Sequence, residues 1–202
     1  MITVSTSKAK TSSYHHGDLR DALIAAALAI LEEGGDPAAL SLREVARRAG
    51  VSAMAPYRHF ADKEALLAAV AAIGFDRLAE ALRDGDRFES STDALIGQGV
   101  AYVAFACANP SLFRLMFGRV LAAQCGDRAP TGAPAYTVMA QRVAAINGSG
   151  DAEDWAMCCW ATAHGIASLA VDGQLAYTGE TPTVLADRVL RLLGITRKTG
   201  LG

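Results

Sequence analysis

Apolar residues recur along this chain at the three- and four-residue spacing of helices with one buried face. In the first such segment, beginning near Asp18, they are Leu19, Leu23, Ala26, Ala27, Ile30 and Leu31, and Gly34-Gly35-Asp36-Pro37 ends it. Ser41 then caps a short helix, with Glu44 three residues on completing a capping box and Leu42, Val45, Ala46 and Ala49 turned inward. Gly50 breaks that helix. Ser52 caps a second short helix over roughly 53–60, with Pro56 near its first turn, where a missing N–H costs least. Asp62 caps a longer helix, from Lys63 to about Arg83.

After a polar break from Asp84 through Thr92, an apolar helix covers about 93–108 and stops at Asn109-Pro110. A shorter one, from 111 to about 121, carries Phe113, Met116 and Phe117, and 126–134 is the longest loop candidate. Helices follow over about 135–145, 151–172 and 183–193. The middle one of these is apolar around nearly its whole girth. One stripe is Trp155, Cys159, Thr162, Ile166 and Leu169; another is Trp160, His164, Ala167 and Val171. Such a helix is covered on more than one side. The last helix has Leu185, Val189, Leu192 and Leu193 on one face. These last two helices carry more apolar surface than one helical layer buries. They are expected to pair with their symmetry mates in a four-helix interface about a two-fold axis, giving a homodimer.

Composition fits an all-α fold: 51% of residues are hydrophobic, alanine is abundant and β-branched runs are scarce. A length of 202 residues allows a real core and one or two small domains. No apolar run approaches the roughly 18 residues of a membrane span. The N-terminus, MITVSTSKAKTSSY, lacks the apolar centre of a signal peptide, so a cytoplasmic location is expected. Cysteines stand at 107, 125, 158 and 159 without a CxxC pair, and are expected to be reduced thiols. No metal site or cofactor is expected. Neither a nucleophile–base–orienter set nor a glycine-rich phosphate loop is present, which argues against an enzyme.

Charge distribution changes the picture more than net charge. The whole chain carries −2, but residues 41–63 carry Arg43, Arg47, Arg48, Arg58 and Lys63 against only Glu44 and Asp62, with His59 in addition. From Glu64 onward 14 acidic residues face 11 basic ones. A small basic segment on an acidic protein is the footprint of a local phosphate contact. The two short helices in that segment, joined by Gly50-Val51-Ser52, make a helix-turn-helix. Ala46 is small where the second helix crosses, Gly50 supplies the turn and Val51 plugs the angle. The second helix can then lay its first turns in a DNA major groove.

The segment LSLREVARRAGVSAMAPYRHFADKEALL, residues 40–67, resembles the tetracycline-repressor (TetR) family of one-component regulators, including its Tyr57-Arg58-His59-Phe60, Lys63-Glu64 and Leu66-Leu67 ending. Trp160-Ala161-Thr162-Ala163-His164-Gly165, with Phe113-Arg114-Leu115-Met116-Phe117 before it, is similar to the WHG subgroup of that family. Pro56 stands where many relatives have an apolar non-proline residue, which alters the backbone of the recognition helix. The resemblance implies phosphate contacts from Ser41, Tyr57, His59 and Lys63, joined by Arg43, and base-edge positions at Ala53, Met54, Ala55 and Arg58. Only Arg58 among the latter is a strong hydrogen-bonding reader; Met54 and the alanines offer apolar contacts. Phe60 reads as a core residue.

The expected organisation is an N-terminal arm at 1–13, a helix-turn-helix domain at 14–62 and a helical ligand-binding and dimerisation domain at 63–202. Candidate ligand-binding residues are Tyr102, Phe105, Phe113, Met116, Phe117, Trp155, Cys159, Thr162 and His164. The set Phe105, Phe113, Met116, Phe117 and Trp155 is of a kind more often found in a core than in a pocket. His164 reads either as a satisfied core histidine or as a cavity group able to titrate, and Gly165 beside it suggests close helix packing. The implied function is a transcription regulator, a repressor released from a near-palindromic double-stranded DNA operator by a small, mainly hydrophobic molecule. The alternative is a DNA-binding dimer without an effector.

Overall fold

The computed structural model describes residues 16–87, 91–118, 134–147 and 150–198, with side chains described over 19–87, 91–118, 134–146 and 150–193. Regular structure among the described residues is helical throughout: α1 (His16–Glu32), α2 (Leu42–Arg48), α3 (Lys63–Gly85), α4 (Ser91–Ala108), α5 (Pro110–Phe117), α6 (Pro134–Asn147), α7 (Ala152–Val171) and α8 (Pro182–Lys198), with short 3-10 turns at Pro56–Arg58 and Ala176–Thr178. The expected arm at 1–13 and loop at 126–134 lie outside the described residues, except Pro134, which opens α6.

The N-terminal half packs α1 against α2, α3 and α5. Leu23, Ala26, Ala27 and Leu31 are buried as their spacing predicts, but so are Ile24 and Leu28. With neighbours on several sides, α1 buries more than one stripe. The Ser41 hydroxyl caps α2 by accepting from the Glu44 N–H at 3.2 Å. The reciprocal half of the expected capping box is replaced: the Glu44 carboxylate takes the Arg47 guanidinium at 2.9 and 2.6 Å. Gly50 has φ +70°, the left-handed conformation that ends α2.

The expected second helix of the motif is not a regular α-helix. Ala55 N–H donates to Ser52 O at 2.9 Å, Arg58 N–H to Ala55 O at 3.2 Å and His59 N–H to Pro56 O at 2.9 Å. These three-residue bonds are those of a turn running into a 3-10 winding. Pro56 explains the difference: it has no N–H to return to the preceding turn, and its ring is buried.

Asp62 caps α3 by accepting from Ala65 N–H at 2.7 Å. At 23 residues this helix is about 35 Å long. It leaves the N-terminal half at Lys63 and runs along α4, α5 and α6. The approach to α5 is so close that a Cβ on Gly74 would lie 2.6 Å from the Met116 sulfur. In the C-terminal half α4 is central, in contact with α3, α6, α7 and α8. Asn109-Pro110 bends the chain by 108° between α4 and α5. No single described helix is long and apolar enough to cross a membrane.

Candidate nucleic-acid interface and ligand cavity

The basic segment divides once its partners are placed. Arg47 is held by Glu44, and Arg48 by Glu33, with Nη1 2.7 Å from Oε2. Hydrogen bonds from these arginines hold both glutamate carboxyls below their usual range. Lys63 Nζ donates to the Ala38 carbonyl at 2.6 Å. Arg43 and Arg58 are exposed and carry no ion pair among the described residues. Ser41, Ala53, Met54 and Tyr57 are also exposed, with Met54 at 70% and Tyr57 at 48%. Ala55, His59 and Lys63 are half-buried. Phe60 is a core residue, as expected, with the Arg20 guanidinium 5.5 Å above its ring. An exposed apolar Met54 and an exposed cationic Arg58 have the chemistry to meet a thymine methyl and a guanine edge, respectively.

A cavity of about 280 Å³ lies in the C-terminal half, between α3, α4, α6, α7 and α8. Leu82 comes from α3, Leu95, Gln98, Gly99 and Tyr102 from one face of α4, Met139 and Val143 from α6, Trp155, Cys159 and Trp160 from α7, and Leu190 from α8. Among the described residues no Asp, Glu, Lys, Arg or His lines it. Gly99 lets α8 approach: a Cβ there would collide with a Leu190 methyl.

Of the candidate ligand-binding residues, Tyr102, Trp155 and Cys159 line this cavity. The others are placed elsewhere. Met116 packs on Gly74, and Thr162 turns its hydroxyl back to the Cys158 carbonyl at 2.9 Å, as threonine in a helix interior commonly does. Phe105 is half-buried against the core, and its carbonyl accepts from the Asn109 side chain at 2.9 Å. Phe113, Phe117 and His164 border a second, more open recess of about 360 Å³ with Arg114, Ser168 and Asp172. There the His164 ring lies 4.7 Å from that of Phe117 and 5.5 Å from that of Phe113, centre to centre. Burial pushes the His164 pKa below its ordinary value and that of Tyr102 well above its own. Gly165 does not mark close packing: a Cβ there would meet nothing within 4 Å.

Sequence reasoning missed Gln98. It is 1% exposed, lines the cavity, and neither its amide oxygen nor its nitrogen has a hydrogen-bond partner among the described residues. A lone amide at the core-facing register of an otherwise apolar helix was the available signal: Leu95, Gln98 and Tyr102 fall on one face. Among the described residues no group of three His, Cys, Asp or Glu side chains could hold a metal ion.

Two family models match the chain. Bacterial regulatory proteins, tetR family, matches residues 23–70, and the Tetracyclin repressor-like C-terminal domain matches residues 95–193. A protein of unknown function from Rhodococcus sp. RHA1 is 35% identical; the match covers 90% of this chain and 96% of that one, with a TM-score of 0.69. A TetR-family transcriptional regulator from Pectobacterium atrosepticum is similar in fold, with 21% identity, 90% and 95% coverage and a TM-score of 0.69. The fatty acid degradation regulator FadR from Bacillus halodurans is also similar in fold, at 16% identity, 89% and 96% coverage and a TM-score of 0.67. No curated protein matches the chain in sequence.

Proposed function

The chain belongs to the tetR family of bacterial regulatory proteins, DNA-binding transcription regulators and not enzymes, and from that premise we propose that it is a repressor released from its operator by a small, mainly hydrophobic molecule. The observation that carries this reading is the course of α3. It starts at Lys63, tied to the loop before the reading motif, and 19 residues later places Leu82 on the cavity wall. A molecule seated against Leu82 bears on one end of a rigid helix whose other end holds the reading head. A shift of that helix changes the spacing of two heads in a dimer, which is the two-state element such coupling needs.

In this reading residues 14–62 read DNA and 63–202 hold effector and partner. Arg58 reads a base edge and Met54 with the neighbouring alanines makes apolar base contacts. Ser41, Arg43, Tyr57, His59 and Lys63 meet phosphates. A second copy of the chain covers the exposed apolar residues of α7 and α8, Met157, Leu169, Val184 and Leu192. The helical half is assigned to the WHG subgroup on Trp160, His164 and Gly165; Trp160 and His164 both lie against Tyr102.

The test begins with an operator selected from a random DNA pool, labelled and followed by fluorescence anisotropy. Apolar molecules with one or two polar groups should weaken binding by about 1–3 kcal/mol, roughly 5- to 150-fold. Release only by polyanions or sugars would contradict the cavity's chemistry. Repression that no molecule relieves would favour the effector-free dimer.

A further inference from the structure

The cavity holds one polar problem. Around it stand hydrocarbon and aromatic walls, and in the middle of the α4 face stands the Gln98 side chain, 1% exposed. Its carbonyl can accept and its amino group can donate, and both lack a partner. A buried amide left in that state is costly, and native cores rarely keep one without reason. The neighbouring hydroxyl does not relieve it: Tyr102, one turn along α4, points its oxygen at His164 Nδ1, 2.9 Å away. Thr92 and Cys159 are the other small polar groups on the wall, and among the described residues no charged group lines it.

Resting on the reading that this cavity takes the effector, we propose that it selects an uncharged, mainly hydrocarbon molecule bearing an adjacent donor and acceptor, a carboxamide or lactam, paired edge to edge with the Gln98 amide. Such a group satisfies both orphan atoms at once. A ketone or ester satisfies only the nitrogen, and a purely hydrocarbon molecule neither. A carboxylate would bring a charge into a site with no cation among its described lining residues. Gln98 is thus the specificity residue, and the apolar walls supply general affinity. Discrimination of this kind is strong because the wrong ligand leaves the site's own polar atoms unpaired.

The protein supplies its own reporter. Its two tryptophans, Trp155 and Trp160, both line the cavity, so intrinsic fluorescence reads occupancy directly. Wild-type protein is titrated with octanamide, heptyl methyl ketone of nearly the same shape, and octanoate. Octanamide should bind about tenfold or more tightly than the ketone, and octanoate weakest. Gln98→Leu should lose that preference while still binding the ketone, and its ligand-free form should melt higher because the orphan amide is gone. Equal binding of amide and ketone by wild type, or tightest binding of octanoate, overturns the proposal and leaves an apolar pocket standing. That comparison needs no variant, so it decides even where Gln98→Leu does not fold. No fluorescence response to any of the three probes would remove the effector reading together with this one.

Discussion

The Tyr102 hydroxyl lies 2.9 Å from His164 Nδ1, and this contact joins the two hollows of the helical half. Tyr102 lines the apolar cavity and His164 borders the more open recess. Tyr102 also stacks edge-on against Trp160, centres 5.1 Å apart, and against Phe113 at 6.1 Å. Burial favours the neutral form of both partners, so the pair is a hydroxyl–imidazole bond and not an ion pair.

That pairing carries a pH dependence with a definite sign. The ordinary histidine value is 6.5, and His164 titrates below it in the folded protein. As pH falls, the unfolded chain binds the proton first. The contribution of His164 is therefore complete above about pH 6.5 and is lost as pH drops through the lower, folded value. His164→Asn should show a shallower fall in melting temperature than wild type between about pH 7 and 5. Parallel curves would mean that other groups account for the acid sensitivity.

On the DNA side the ion pairs sort the arginines. Arg58 is exposed and carries no ion pair among the described residues, and Arg58→Ala should relax preference at one position per half-site by about 1–3 kcal/mol. Arg43→Ala should weaken binding to specific and random DNA alike and flatten the dependence of log K on log salt by about 0.9 per phosphate lost. Arg47→Ala should matter less, since Glu44 already occupies that guanidinium. Binding measured on both DNAs from about 50 to 200 mM salt separates these outcomes. Equal losses for Arg43→Ala and Arg58→Ala on both DNAs would contradict the division.

Gly50→Ala isolates a backbone cost. A Cβ at Gly50 meets nothing within 4 Å, so no clash contributes, yet φ is +70°. The substitution should destabilise by about 1–2 kcal/mol through left-handed strain alone. Chemical denaturation measures it; an unchanged midpoint would show that the turn relaxes to another conformation.

Most of the helices were legible because caps and breakers mark them locally: Ser41, Asp62, Gly50 and Asn109-Pro110 all act within a few residues of themselves. The reading motif was legible for the same reason, while its second helix is a turn running into a 3-10 winding at Pro56–Arg58, where Pro56 has no N–H to return to Ser52. The cavity was less so. An aromatic on an apolar helix faces either hollow or core, and spacing alone does not say which: Tyr102 and Trp155 reached the cavity, Met116 met Gly74, and Thr162 turned onto its own helix. Those outcomes are set by which helix lies opposite, a fact of tertiary packing. Gln98 was visible as a polar residue in an apolar stripe, but its want of a partner exists only once α6, α7 and α8 close around it.

The same packing narrows the proposed dimer face. On α8, Ala186 and Leu190 are buried against the protomer's own helices, and Leu185 and Val189 are half-buried against that core. Glutamate at Leu185 or Val189 would therefore injure the protomer as well as any interface. Val184 and Leu192 are each 55% exposed, and on α7 Leu169 is 42% and Met157 45% exposed. Exposed apolar side chains on two helices that pack against each other are what a two-fold four-helix contact buries. Leu169→Glu combined with Val184→Glu should leave helicity and melting behaviour close to wild type, because neither side chain is in the core. The same variant should sediment as a monomer at micromolar concentration where wild type sediments as a dimer. It should also lose the tight binding that needs two reading heads on one near-palindromic site, falling toward the affinity of a single half-site. Analytical ultracentrifugation of both proteins decides the matter: a monomeric wild type removes the interface, and a dimeric double variant moves it to another face.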